Sequence, residues 1–331
     1  MSKTREKLIA KLALRPGRRP RLARIDPDGE LTPDLAELAE DELKEHAREV
    51  LAHYLERLAE AQEELWANDR RSVLVVLQAM DAAGKDGTIK HVMSGVNPQG
   101  CQVHSFKKPS AEELDHDFLW RYVKALPERG RIGIFNRSYY EDVLVVKVHP
   151  ELLETGKLPE GKRGKAFWRA RYEAINAMEK HLVESGTLVL KFFLHISKEE
   201  QRRRLLDRLE DPSKHWKFSA ADVVERGYWD QYQAAYEDAF EATSTPWAPW
   251  HVIPANRKYV ARNLVAALIT RAIEGLELGW PKVSEAAEEE LRAAREQLLA
   301  EDSSSGGARA RKAKQKRKAQ RSTKERRRDE R

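Results

Sequence analysis

Short apolar runs along the chain alternate with segments in which apolar residues recur every three or four positions. The runs are nearly continuous, which is typical of strands buried on both faces of a parallel sheet. They cover residues 72–77, 102–106, 131–135, 187–196 and 251–253. Because helical patterns separate them over about 200 residues, we predict an α/β fold with helices on both faces of a largely parallel sheet.

The helical patterns lie at 34–68, which can form one or two helices, and at 111–126, 165–185, 198–210 and 258–276. Between 211 and 249 the chain is polar, aromatic and charged, with helical potential at 219–226 and 227–243, and we interpret it as a lid. We therefore predict an N-terminal extension (1–33), a main domain (34–280), an acidic helix (281–300) and a tail (301–331). The tail is of low complexity and is predicted to be disordered.

The net charge of +6 hides a strong asymmetry. Residues 308–331 carry 13 Lys and Arg against 3 Asp and Glu, which leaves about −4 for the rest of the chain. A basic binding surface must therefore be argued locally, and the tail alone suggests weak contact with nucleic acid or another polyanion.

The single cysteine, Cys101, excludes an internal disulfide, and the ten histidines show no zinc-site spacing. No apolar run approaches the roughly 18 residues that a membrane helix needs, and the basic N-terminus is not followed by the apolar segment of a signal peptide. These features predict a cytoplasmic protein that does not enter the membrane, and we expect a homo-oligomer.

The strongest chemical signal follows the first predicted strand, where the chain reads Ala-Met-Asp-Ala-Ala-Gly-Lys-Asp-Gly-Thr-Ile-Lys from Ala79 to Lys90. A small-residue loop between a strand and a helix points backbone N–H groups and the helix N-terminus at a bound phosphate, and Lys85 can reach terminal phosphates. The match to the phosphate-loop motif is imperfect, because Ala79 replaces the first Gly and Asp86 replaces Ser or Thr. Asp81 is a candidate substitute magnesium ligand. The alternative is an ordinary turn with a surface lysine.

A second polar group ends the strand predicted at 131–135. Asn136 lies where phosphate-loop enzymes often carry a magnesium-linked acid, and Arg137 could neutralise charge on a phosphoryl group in transfer. Their alternative role is a helix cap beside a solvated arginine. Candidates for contact with a nucleotide or a second magnesium follow directly, namely Tyr140, Glu141 and Asp142.

These residues give the chain a specific resemblance to the polyphosphate kinase 2 family, and most closely to its class III branch. The resemblance extends from about residue 35 to 276 and includes, in order, the loop at 81–85, the runs at 88–100, 106–109 and 135–143, and the segment at 216–219. Asn136, where class I members have Asp, and Asp86 after the loop lysine both indicate class III, a branch known to accept AMP and ADP.

The resemblance implies a P-loop kinase fold, similar to thymidylate kinase, with a helical lid. It implies inorganic polyphosphate as donor, AMP, ADP and ATP as nucleotides, and Mg²⁺ as the charge mediator. By position, Asp81 would hold the metal, Lys85 would contact the phosphoryl group in transfer, and Asn136 and Arg137 would orient nucleotide phosphates. The loop residues expected to bind phosphate are Ala82, Ala83, Gly84, Asp86, Gly87 and Thr88.

Basic residues elsewhere form a predicted polyphosphate track, because a repeating polyanion needs little more than a line of cations. The expected members are Lys90, Lys107, Lys108, Lys214, Lys217 and Arg226, with the cluster at 202–204 as the weakest candidate. For each lysine, a solvated helix face is the alternative. The roles of Asn256 and Lys258 stay open, as do those of the lid aromatics, which are more often packing residues.

Two rival functions remain at this point. An ATP-dependent nucleoside monophosphate kinase would use the same loop and lid. A nucleic-acid-binding protein is suggested by the basic tail, and deletion of 303–331 would separate that function from catalysis.

Overall fold

A five-stranded, all-parallel sheet in the order β2-β3-β1-β4-β5 forms the centre of the chain. The computed structural model describes residues 9–31, 33–155 and 158–300, with the side chains of residues 33, 34, 155 and 217 not described. Of the described residues, those up to 280 belong to one compact unit and 281–300 belong to a second, in which 285–300 are helical. The predicted disordered tail lies outside the described residues.

The strands lie close to the apolar runs that predict them. They are β1 (Ser72–Ala79), β2 (Cys101–Ser105), β3 (Ile132–Asn136), β4 (Thr187–His195) and β5 (Trp250–Pro254). The helices of the first unit are α1 (Pro33–Ala36), α2 (Glu40–Asn68), α3 (Lys85–Val92), α4 (Ala111–Leu114), α5 (Trp120–Val123), α6 (Glu141–Val148), α7 (Leu152–Thr155), α8 (Lys165–Glu184), α9 (Lys198–Glu210), α10 (Ala220–Glu225), α11 (Trp229–Thr243) and α12 (Lys258–Glu274). Short 3₁₀ turns cover Leu22–Arg24, Pro98–Gly100, Pro212–Lys217 and Arg226–Tyr228.

The central strand β1 is buried along its whole length, as expected for a strand covered on both faces. One face carries α12, which contacts both α2 and α3, and the other carries α6, α8 and α11. Every apolar side chain of such a strand leaves water, and each contributes about 1.5–3 kcal/mol to folding. The predicted α/β phosphate-loop fold is confirmed.

The sheet places two loops side by side. After β1 the chain runs outward to β2 and back to β3, and it then crosses β1 to reach β4, so the strand order reverses next to β1. Leu77 of β1 pairs with Asn136 of β3, which brings the loops that follow both strands to the same carboxyl edge. In open parallel sheets this is where ligands bind.

The single helix predicted at 111–126 is wrong, because the segment forms two separate turns, α4 and α5. The Asp117 side chain accepts a hydrogen bond from the Leu119 N–H at 2.9 Å, and His116 bonds to the Glu112 carbonyl at 2.8 Å. Such local side-chain bonds compete with the helix ladder and break it.

The predicted lid region divides into two parts. Helix α11 buries Trp229, Tyr236 and Phe240 in the main core, so this part packs as a structural helix. Residues 212–226 form short turns at the carboxyl edge, with Ser219 capping α10. None of the described helices is both long and apolar enough to cross a membrane.

Candidate active site

The loop between β1 and α3 wraps tightly around the start of the helix. Gly84 lies at φ +103°, a conformation open to glycine, and Ala82 lies at φ +61°, where a side chain is strained. The Thr88 N–H bonds to the Gly84 carbonyl at 2.9 Å and begins the helical ladder. The free amides of the first turn therefore face the carboxyl edge, where the helix dipole also favours an anion.

Lys85 reaches back over this loop, and its ammonium group donates to the Ala79 carbonyl at 3.0 Å. Burial lowers the pKa of Lys85 and the nearby Arg137 lowers it further, whereas Asp81 opposes both effects. An ammonium group held beside another cation gains most when a phosphate binds between them. Lys85 is therefore placed for phosphate contact.

The end of β3 completes the cleft. An Arg137 guanidinium nitrogen lies 3.1 Å from an Asp81 carboxylate oxygen, and the Asn136 side chain donates to Asp86 at 2.7 Å. Arg137 has φ +64°, so a second non-glycine residue of the site is strained. Backbone strain of this kind clusters at functional sites. The four predicted catalytic residues thus line one cleft of about 800 Å³.

Most of the predicted phosphate-binding residues also line this cleft. They are Ala82, Ala83, Gly84, Asp86, Gly87, Thr88, Lys107 and Lys214. Lys214 is already paired with Asp211 at 2.6 Å.

Arg204 of the predicted cluster also lines the cleft, whereas Lys90, Lys108 and Arg226 do not. Lys90 is exposed on the outer side of α3, and Lys108 lines a neighbouring pocket. Arg226 donates to the Lys198 carbonyl at 2.5 Å and to Gln201 at 3.1 Å. The side chain of Lys217 lies outside the described residues.

A second pocket of about 420 Å³ opens beside the phosphate cleft and shares Arg137 and Lys107 with it. Phe106 and Phe118 contribute apolar surface to this pocket, while Arg121 and Arg171 contribute charge. Its mixture of ring faces and polar groups suits a nucleoside. Glu141 and Asp142, both predicted to contact a nucleotide, line the pocket.

Tyr140, also predicted to contact a nucleotide, lies instead in the core, which corrects that prediction. Its hydroxyl donates to Glu179 at 2.8 Å, and Tyr139 donates to the same carboxylate at 2.9 Å. Lys191 pairs with Glu179 at 2.6 Å, and both side chains are fully buried. The two tyrosines therefore join the start of α6 to a buried ion pair, facing away from the cleft.

Asp142 gives the pocket a pH-sensitive group. Burial raises the pKa of Asp142 to about 6, although the Tyr122 hydroxyl and the Arg121 guanidinium oppose the rise. The Tyr122 hydroxyl donates to Asp142 at 2.9 Å, and Arg171 donates to its carbonyl at 2.8 Å. Because the folded pKa exceeds the ordinary value, the folded protein holds this proton more tightly than the unfolded chain. The protonated Asp142 carboxyl therefore contributes fully to stability below about pH 4, and this contribution is lost as pH rises through about 6.

Replacing Asp142 with asparagine should remove this dependence, since the amide oxygen can still accept from Tyr122. The unfolding free energy of Asp142→Asn minus that of the parent protein is therefore expected to increase by on the order of 2 kcal/mol from pH 4 to pH 7. Urea unfolding at a series of pH values measures the difference. A difference that stays constant with pH would contradict the shifted pKa.

The lid segment brings charged and aromatic groups to the open side of the cleft. Asp222 pairs with Arg208 at 3.3 Å, and burial followed by the charge of Asp81 raises the pKa of Asp222. Trp216 lines the cleft with 78% of its surface exposed. Of the other lid aromatics, Trp229 and Tyr236 are buried packing residues, and Tyr232 donates to Glu225 at 2.7 Å.

Two cations of the cleft stand on the first turns of α12. Lys258 is the residue whose role the sequence leaves open, and Arg262 is missing from the sequence-based prediction. Within the described part of the chain, neither forms an ion pair. Burial lowers the pKa of both, and the charge of Arg204 lowers each further. Their spacing of four residues at a helix start is the signal that could have identified them as a pair.

Comparison with known proteins agrees with this geometry. Residues 41–278 match the family described as Polyphosphate kinase 2. An ADP-polyphosphate phosphotransferase of Rhodopseudomonas palustris is 54% identical, over 78% of this chain and 90% of that protein. An AMP/ADP-polyphosphate phosphotransferase of Meiothermus ruber is 45% identical, over 85% and 98% respectively.

The fold is also shared with a solved structure. The crystal structure of polyphosphate kinase 2 from Arthrobacter aurescens TC1 superposes with a TM-score of 0.75 at 44% identity, covering 86% of this chain and 95% of that one. The family match covers well over half of the chain and contains every cleft residue described above. This chain belongs to the polyphosphate kinase 2 family.

Proposed function

We propose that this protein transfers a phosphoryl group reversibly between inorganic polyphosphate and AMP or ADP. The proposal rests on one observation, which is that Arg137 lines both the phosphate cleft and the adjoining pocket. A donor chain in the cleft and a nucleotide in the pocket would meet at this residue. In support, the R. palustris relative is named an ADP-polyphosphate phosphotransferase and the M. ruber relative an AMP/ADP-polyphosphate phosphotransferase.

The chemistry requires alignment and charge neutralisation more than covalent help. Lys85 and the amides of the first α3 turn would hold the terminal donor phosphate, and Arg137 would stabilise charge on the equatorial oxygens in the transition state. The terminal phosphate oxygen of AMP or ADP is itself the nucleophile, so no side chain needs to form a bond to phosphorus. The pocket orients the nucleotide so that this oxygen lies in line with the bond that breaks.

Magnesium belongs to the proposal as the counter-ion of both phosphates. Among the described residues, no group of three or more His, Cys, Asp or Glu side chains is arranged as a metal cage. The carboxylates of Asp81, Asp86 and Asp222 line the cleft, which fits Mg²⁺ because this ion commonly takes one or two carboxylates and completes its shell with water and phosphate oxygens. Bound there, it would neutralise phosphate charge, with Asp81 as the proposed protein ligand.

The lining of the cleft favours polyphosphate over ATP as donor. Beyond the loop, the cleft continues past cations on three elements, the α9 helix, the 3₁₀ turn of the lid and α12. They are Arg208, Lys214, Lys258 and Arg262. A repeating phosphate chain would contact several of these cations along its length, whereas ATP would need a pocket for its base.

Arg262 gives this donor track a direct test. Arg262→Ala is expected to raise KM for long-chain polyphosphate about 5- to 20-fold, because it removes a desolvated cation from the cleft, and to leave KM for ADP within twofold. The matched control is Arg169→Ala, on the far helix α8, where Arg169 is exposed and pairs with Glu173. If the two substitutions changed KM for polyphosphate equally, Arg262 would not be part of the donor site.

The donor assignment is tested by supplying AMP or ADP together with either long-chain polyphosphate or ATP and following the nucleotide product. The proposal predicts conversion of AMP to ADP and of ADP to ATP with polyphosphate and magnesium. Activity with AMP and ATP and none with polyphosphate would identify a nucleoside monophosphate kinase instead. Parallel initial rates with GMP and GDP measure the base selectivity of the pocket.

A further inference from the structure

The phosphate loop is held from behind by two side chains of one helix. Gln201 of α9 donates to the Asp81 carbonyl at 3.0 Å. Arg204, one turn further along, donates to the carbonyls of Ala82 and Ala83 at 3.1 and 2.7 Å. Three consecutive carbonyls of the loop are therefore fixed by side chains on the same face of α9.

Arg204 has no donor left for a phosphate. A guanidinium group has five N–H bonds. Two go to the loop carbonyls, two go to the carbonyls of Ala255 and Asn256 at 2.5 and 2.9 Å, and the fifth goes to Glu200 at 2.6 Å. The side chain is 4% exposed, and although it lines part of the cleft, the protein itself occupies all of its donors. This corrects its inclusion in the predicted polyphosphate track.

The direction of these bonds matters for catalysis. Carbonyls that are turned toward α9 leave the amides of Ala82 and Gly84 directed away from α9, toward the cleft where the phosphate binds, while the Ala83 amide donates to the Met80 carbonyl at 3.3 Å. The hydrogen bonds from Gln201 and Arg204 also stabilise the strained φ of +61° at Ala82, which an unsupported loop would tend to relax. A shift of about 1 Å in such a loop is enough to lower a rate about 100-fold.

Gln201 adds a connection to the lid. Its amide nitrogen holds the Asp81 carbonyl, and its amide oxygen accepts a hydrogen bond from Arg226 at 3.1 Å. With 1% of its surface exposed, Gln201 joins the lid to the residue proposed to hold magnesium. The placement of Arg226 against α9 supports this coupling role in place of phosphate binding.

We infer that Gln201 and Arg204 are positioning residues that keep the amides of the phosphate loop directed at the donor phosphate. The inference rests on the proposed function, because it assigns the loop to the donor side of the reaction. In this assignment both residues act through the loop and make no contact with substrate. Their loss should therefore weaken binding of the phosphate donor while the nucleotide pocket, built from other elements, stays intact.

The test compares Gln201→Met, Arg204→Met and Arg204→Lys with Arg203→Met. Arg203 is the matched control, since it lies on the same helix but is 57% exposed and pairs with Glu200 and Asp207. Calorimetric titration with tripolyphosphate and, separately, with AMP measures each affinity and the number of binding sites, and thermal unfolding reports the fold. Gln201→Met keeps the test decisive if Arg204→Met fails to fold.

We expect Kd for tripolyphosphate to rise at least tenfold in Gln201→Met and Arg204→Met, less in Arg204→Lys, and less than twofold in Arg203→Met. Kd for AMP should stay within twofold, with one site per chain. Unchanged tripolyphosphate binding, or an equal loss of AMP binding, would overturn the inference. A failure of the proposed function would give a different result. In that case the parent protein itself would bind no tripolyphosphate or transfer no phosphate from it.

Discussion

Replacing Arg137 with alanine is expected to lower kcat by on the order of 10³-fold, because an arginine that neutralises a transferring phosphoryl group contributes about that much or more. Arg137 lines both the donor cleft and the nucleotide pocket, and its guanidinium lies 3.1 Å from Asp81. Steady-state rates with polyphosphate and ADP at saturating concentrations measure the effect.

Arg137→Gly separates this chemical role from the strained backbone. Glycine adopts the observed φ of +64° without strain, so Arg137→Gly should be about 1 kcal/mol more stable than Arg137→Ala while losing as much activity. Urea unfolding of both variants gives the comparison. If either variant retained turnover near that of the parent protein, Arg137 would not serve the transition state.

Replacing Lys85 with methionine is expected to lower kcat by on the order of 10² to 10³-fold, since it removes a cation from the reacting phosphate and keeps the length of the side chain. The effect should appear with both AMP and ADP, because Lys85 serves the donor side. Single-turnover rates with polyphosphate measure it independently of product release.

Lys180→Met is the matched control for Lys85, because Lys180 is exposed on α8 and pairs with Glu184 at 3.7 Å. Its turnover should stay within twofold of the parent protein. A Lys85→Met enzyme with nearly normal turnover would place the chemistry outside the phosphate loop.

The sequence predicts the sheet and the loop well, because both depend on local patterns. A strand buried on both faces must be apolar along its length, and a loop that cradles phosphate must be small and glycine-containing. Asp81, Lys85, Asn136 and Arg137 follow directly from these two signals. Since parallel strands end at one edge, the sequence also predicts that these residues meet.

Other roles depend on contacts between distant segments, and the sequence does not reveal them. Arg203 and Arg204 are identical in type, yet one is solvated and the other is buried under a loop about 120 positions away. Tyr140 follows the cleft residues closely but is turned into the core by the buried pair of Glu179 and Lys191. The orientation of each helix relative to the sheet decides these cases, and periodicity alone does not give it.

We expect loop amides, the Lys85 ammonium group and a divalent cation to converge at the carboxyl edge of the sheet and hold a phosphate chain. A crystal structure of the protein soaked with short-chain polyphosphate and Mg²⁺ tests it most directly. Phosphate density is expected within hydrogen-bonding distance of the α3 amides and the Lys85 ammonium group, with the metal beside Asp81. An empty cleft with the phosphate chain bound at another surface would contradict it.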